Sequence, residues 1–349
     1  MAAVACTLSI LAGCTAKLDP AEERVISFTA AGSPLLRDDA NTKATTDSFV
    51  SNDDTFSVFG ELVSASGTHT EVFNGTTVSH TYQEEGGIVT KDEWSYSPLQ
   101  SWNWSSMSDY YDFVAVSPAI YNDNNVGTVK ENAVGNLSVT THYDYDNTLG
   151  APSGGDKYDI LAATYRRSGA DLERREDRVN FSFSHMGSAV AIKIINNSTS
   201  ANVTLNYLQF TNLVVSADAK VSLDNYGGTV LRWANLMPSA SLVRRLSPGQ
   251  SITHGNNWTS EFQIMIPQNL SLYNPKLLLN YTVGETTTNP DVEILLNGIE
   301  RDDGTPITSW EIGVKYIYNI SMRLDGGLLV TVTTTPWDAV EAETPGILI

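Results

Sequence analysis

Five histidines, His69, His80, His142, His185 and His254, are the first side chains to test for metal or acid–base chemistry. They lie far apart, with no cysteine or close acidic residue at ligand spacing, so any metal site would have to be assembled by the fold. No metal ligand is assigned. His185 shares a strand face with Phe183 and reads as a hydrogen-bonded packing residue. Asn122-Asp123-Asn124-Asn125 and Asp144-Tyr145-Asp146-Asn147 carry oxygens suited to calcium. Neither has the full spacing of a calcium loop, and Asx residues also make turns without metal. Serine is plentiful, but no Gly-x-Ser-x-Gly elbow occurs and the glycine-rich stretches lack a phosphate-loop pattern. A carboxylate pair for glycoside hydrolysis would meet only in the folded chain, and no spacing marks one. The chain therefore reads as a non-enzyme without a cofactor. Trp94, Tyr96, Trp102, Trp104, Tyr110 and Tyr111 make an aromatic-rich region. Exposed on a rim, these rings would stack on sugars, which defines one alternative, a monomeric glycan-binding surface lipoprotein. Their spacing near Pro98 and a strand favours core packing.

The two cysteines have separate fates. Residues 4–11 form an apolar run too short to span a bilayer, and it ends in Leu11-Ala12-Gly13-Cys14. This tetrapeptide is similar to a bacterial lipobox, which implies that residues 1–13 are a signal peptide and that Cys14 carries lipid on its thiol and its amine. Each buried methylene contributes about 0.8 kcal/mol, so several acyl chains hold a protein durably on a membrane. An ordinary cleaved signal is the other reading. Cys6 leaves with the signal in either case, and the mature chain has no disulfide. Residues 14–24 form a tether.

The elements that would position these groups are strands. Thr, Ser, Asn, Tyr and Gly abound, charged residues are 17%, and no long amphipathic helical window is present, so the composition reads all-β. The formal net charge of -19 argues against nucleic-acid binding, which rests on clusters of Lys and Arg. A length of 349 residues suits two domains. Strand character appears at 25–30, 56–60, 88–96, 110–117 and 158–164, which is about the strand count of one sandwich. At 166–178, Arg166, Arg167, Arg174, Arg175 and Arg178 are packed among acidic residues, and the composition predicts a solvated loop with the domain boundary in it. The expected domains are 25–177 and 178–349. The second begins with the alternation of Val179, Phe181 and Phe183 and closes in a hairpin. Tyr316, Tyr318, Ile320 and Met322 alternate with polar residues, Asp325-Gly326-Gly327 supplies a turn, and Leu328, Val330 and Val332 follow on one face. Pro336 ends regular pairing and leaves Trp337 as an apolar anchor.

Several of these pieces together resemble the fimbrillin-like proteins of Bacteroidales. They are Leu11–Cys14, Thr42-Lys43-Ala44-Thr45 ahead of Phe56-Ser57-Val58-Phe59-Gly60, Tyr158-Asp159-Ile160-Leu161-Ala162, the run from 179 to 186, and 313–337. The resemblance implies two tandem transthyretin-like Greek-key β-sandwiches forming a type V pilus subunit. It implies export as an outer-membrane lipoprotein to the cell surface and fimbrium, where the subunit serves adhesion. A trypsin-like protease would then remove the first strand, 25–30, by cutting after Arg37 or Lys43. The vacated groove would accept a strand from another pilin subunit, homologous or different, and Leu328, Val330 and Val332 would be this chain's own donor strand. The physical form of such assembly is strand addition, which satisfies an apolar groove and unpaired backbone groups together.

Overall fold

The computed structural model describes residues 24–31, 49, 52, 54–119, 128–131, 136–144, 159–170, 178–197, 201–239, 244–246, 249–284, 291–323 and 327–337. Cys14, Arg37, Lys43, Asn122 to Asn125, the three residues after Asp144, and Asp325-Gly326 lie outside them. The architecture is all-β, with open sheets packed face to face as sandwiches.

The strand Tyr110–Ser117 is buried along nearly its whole length. A continuous apolar run of this kind needs cover on both faces of its sheet. Tyr111, Phe113 and Ala115 enter one core while Val114 and Val116 enter another. This strand lies inside a six-stranded antiparallel sheet ordered Ser184–His185, Leu161–Ser168, Tyr110–Ser117, Thr55–Val63, His69–Glu85 and Ile88–Ser95. Against one face packs a four-stranded sheet ordered Thr229–Ser239, Leu213–Leu223, Ser138–Asp144 and Thr128–Glu131. Against the other lies a two-stranded parallel sheet of Ser27–Ala31 and Arg178–Ser182, with the aromatic segment that follows Ile88–Ser95.

A second sandwich closes over Ile192, Leu205, Phe210, Leu279 and Tyr318. One of its sheets is centred on Ser188–Asn196, which runs parallel to Val314–Met322, and the other is centred on Val203–Thr211 and Lys276–Val283. The terminal hairpin forms as its alternation predicts, with Val314 opposite Pro336 and Met322 opposite Leu328. Trp337 is buried just beyond it.

The sheets do not divide at 178. Arg178–Ser182 and Ser184–His185 pair with Ser27–Ala31 and Leu161–Ser168, and Leu213–Leu223 pairs with Ser138–Asp144. The chain enters the second sandwich between His185 and Ser188, and Asn212, in the left-handed region, marks its return to the first. Nor are all the arginines near this point in a solvated loop. Arg166 and Arg167 belong to the strand Leu161–Ser168, and the Arg167 guanidinium lies 4.9 Å above the Trp102 ring. Arg166 makes a two-pronged contact with buried Asp112, donating from Nε to Oδ1 at 2.6 Å and from NH2 to Oδ2 at 2.7 Å. Its third nitrogen donates to the Asn225 carbonyl at 2.9 Å, tying the six-stranded sheet to the turn of the neighbouring sheet. Burial pushes the Asp112 carboxyl upward against the pull of Arg166.

Removing one partner of a buried ion pair leaves the other charge unpaired. Asp112→Ala is expected to lower stability by about 3–5 kcal/mol in urea denaturation. The double replacement Asp112→Leu/Arg166→Met is expected to lose much less.

Candidate functional site

The two faces of the six-stranded sheet are covered unequally. One carries a whole sheet; the other depends on the short strand Ser27–Ala31. Ile26 and Phe28 turn inward and are buried, and Ala30 packs behind them. The segment 24–31 is held from two sides, just before the strand and along it. On one side Ile26 N donates to Gln100 O at 2.8 Å and Trp102 N to Arg24 O at 2.9 Å, around an antiparallel bridge between Val25 and Ser101. On the other, the strand runs parallel to Arg178–Ser182, with Phe28 opposite Val179 and Ala30 opposite Phe181. Thr29 also donates its hydroxyl proton to the Asn180 side-chain carbonyl. At the far end Phe183 N donates to Ala31 O at 2.8 Å.

Phe28 is the centre of the contact. Its ring stacks on Phe181 at 5.8 Å and 13°, and meets Phe56, Phe73, Tyr96 and Phe113 edge-on at 5.9, 5.5, 5.3 and 6.3 Å between centroids. Edge-to-face and offset stacking are the arrangements that ring quadrupoles favour. Gly60 makes room for this socket: it pairs with Phe73 on one strand and Phe113 on the other. A Cβ at Gly60 would come within 2.9 Å of the Phe113 ring and 3.0 Å of the Phe73 ring. The Tyr96 hydroxyl donates to the Ile26 carbonyl at 2.7 Å, and burial raises its pKa, so it stays a neutral donor at physiological pH.

The aromatic-rich region is thereby accounted for. Trp94 stacks on buried His80 at 4.4 Å and leans on Phe56; Trp102 and Trp104 stack on each other at 5.5 Å and pack edge-on against buried Tyr111. Tyr110 lies under the Arg166 guanidinium at 4.4 Å. These rings pack against the core and one another, as their spacing favours.

The histidines are paired one by one with carboxylates. His69 meets Glu61 at 2.8 Å, His80 meets Asp92 at 2.8 Å, His142 meets Asp218 at 2.7 Å and His185 meets Asp159 at 3.0 Å, while His254 is exposed. The hydrogen bond from His142 holds Asp218 below the usual carboxylate range. Among the described residues no group of three or more such ligands stands together. His185 is the packing residue its strand face suggests: its ring also stacks on Trp337 at 4.0 Å and 14°.

The terminal strand Leu328–Pro336 sits far from the Phe28 socket in sequence and belongs to the second sandwich. Val332 is buried, Leu328 and Val330 pack against the same core, and Val332 N donates to Glu300 O at 3.0 Å on the strand's outer edge. Cys14, Arg37 and Lys43 lie outside the described residues, and the chain joining the first strand to the cleavage candidates leaves it at Ala31. The socket partners Phe73 and Phe181 could have been suspected from their alternating strands, but their convergence on Phe28 has no local signal.

Residues 42–337 match the model of a family described as fimbrillin-like. Similar solved structures include a candidate cell-adhesion protein from Bacteroides uniformis, 15% identical, covering 90% of this chain and 99% of that one with a TM-score of 0.50. A second candidate cell-adhesion protein, from Bacteroides ovatus, is 15% identical over 90% and 97% of the two chains with a TM-score of 0.47. The tip fimbrial protein Mfa3 from Porphyromonas gingivalis, with C-terminal truncation, is 11% identical over 90% and 99% with a TM-score of 0.44. No curated protein matches the sequence.

Truncating Phe28 would leave a ring-sized cavity among five aromatic neighbours. Phe28→Ala is expected to cost about 3–5 kcal/mol in urea denaturation, and Tyr96→Phe, which removes one hydrogen bond to the strand, about 0.5–1.5 kcal/mol.

Proposed function

The chain belongs to the fimbrillin-like family, and from that premise we propose that it is a fimbrial subunit serving adhesion at the cell surface, assembled by exchange of its first strand. The observation that carries this reading is the strand Ser27–Ala31, which is short, is paired along one edge, is pinned at its entry by residues 24–26 and alone seats Phe28 in the aromatic socket. It lies upstream of Arg37 and Lys43 in the chain. A cut after either residue by a trypsin-like protease would turn the strand into a separate peptide, held only by noncovalent contacts.

Loss of that peptide would uncover the rings of Phe56, Phe73, Phe113 and Phe181 and leave the backbone of Arg178–Ser182 without its partner. Both deficits are costly, and a strand supplied by another subunit would repair both at once. Parallel pairing is slightly weaker per residue than antiparallel pairing, which favours replacement of this strand. Before this step, lipid on Cys14 would hold the subunit at the outer membrane. In donating its own terminal strand, the subunit would withdraw Leu328, Val330 and Val332 from the second core and unstack Trp337 from His185. The inward packing of Trp94, Trp102 and Trp104 gives a sugar-stacking platform no support.

Limited trypsin digestion of the mature protein, followed by mass spectrometry and sizing, tests this reading. The expected result is a rapid cut after Arg37 or Lys43, release of the first strand and growth of oligomers. A cleaved product that stays monomeric and retains its strand would overturn it.

A further inference from the structure

If the groove is refilled by a strand from outside, the socket around Phe28 restricts which strand fits. The first strand presents a large–aromatic–small row, Ile26, Phe28 and Ala30, to the core. The middle position is flanked by five rings, and Gly60 leaves open the space between Phe73 and Phe113 that a Cβ would enter. Cores are packed at near-crystalline density, so a smaller side chain there would leave an unfilled cavity.

The terminal strand of a second copy does not supply that ring. Its inward row is Leu328, Val330, Val332 and Thr334. Sliding it by two residues in either direction only exchanges one aliphatic or hydroxyl residue for another at the middle position. Trp337 stands on the opposite parity, directly after Pro336, which has no N–H to offer the ladder. Bringing it to the middle position would set Thr335 where Ile26 lies.

We infer that the groove takes a strand from a subunit of a different kind, one whose second inward-facing residue is aromatic, and discriminates against the terminal strand of its own copies. The inference rests on the strand-exchange reading above and adds the partner's chemistry to it. The chain then joins a heterotypic contact at this groove, and its own terminal strand serves a different neighbour.

The test uses the full mature protein, trypsin-cleaved and freed of its first strand by gel filtration. Three labelled peptides are titrated into it: residues 25–31, the same peptide with F28V, and residues 328–337. Fluorescence anisotropy reads the affinity, with uncleaved protein as the control for binding elsewhere. The expected result is that the native first-strand peptide binds at least about tenfold more tightly than either of the others, the difference that a lost ring in a closed pocket makes to an equilibrium constant. Equal or tighter binding of the 328–337 peptide would overturn the partner inference while leaving strand exchange standing. Failure of all three peptides to bind the cleaved protein would overturn strand exchange at this groove, and the partner inference with it.

Discussion

A sheet that is apolar on both faces has to be covered twice, and that requirement organises this molecule. Tyr110–Ser117 and its neighbours send Phe56, Phe113 and Leu161 to one side and Phe59, Val114 and Ala162 to the other. The second side receives a complete four-stranded sheet; the first receives the two five-residue strands Ser27–Ala31 and Arg178–Ser182 and the segment that carries Trp102 and Trp104. Burial of a phenylalanine contributes about 1.5–3 kcal/mol, and well-oriented ring pairs add more. Phe28, with five ring partners, therefore concentrates on one residue much of what holds the thinner cover in place.

That concentration connects stability to assembly. A cover made of a long meander would unfold only with the whole domain, whereas a short strand can leave with most of the remaining sheet hydrogen bonds intact. The strand is paired along its length with Arg178–Ser182, and the residues just before it with the segment around Ser101, so both partners still line the groove once the strand is gone. The terminal strand offers a contrast. It is paired with Val314–Met322 along its whole length, bonded at its outer edge to Glu300, and followed by Trp337, which seats on His185. His185 is in turn oriented by buried Asp159. The end of the second sandwich is thus anchored on a residue whose strand pairs in the first.

Four of the histidines that invite a chemical reading in the sequence have structural partners. Asp218 lies directly opposite His142 in the strand register, and Asp92 sits diagonally across the hairpin from His80. Cross-strand neighbours of this kind interact through the sheet's own geometry. Asp112 and Arg166 likewise face each other in register across adjacent strands. Deeper in the second core, burial pushes the Tyr316 hydroxyl up to about 12, and it accepts a hydrogen bond from Glu311 N at 2.8 Å. Each of these groups has a hydrogen-bond partner where it is buried, as a desolvated polar group needs.

Alternation of side chains along the chain is a local property, and it was enough to identify the all-β class, the buried strand Tyr110–Ser117 and the terminal hairpin 313–337. It was also enough to point to strand character at 25–30. The strand His69–Glu85, in which Thr, Glu and other polar residues outnumber the apolar ones, carries too few apolar residues for the same signal and emerges only from its pairing. Tertiary structure alone decided that strands beyond 178 return to the first sandwich, that Arg166 and Arg167 are strand residues, and that Phe28 meets Phe181 across the intervening chain. The reason is that strand pairing is indifferent to distance along the chain: a sequence shows which face of a strand is apolar, but which other faces cover it is settled only when all the sheets compete for the same partners.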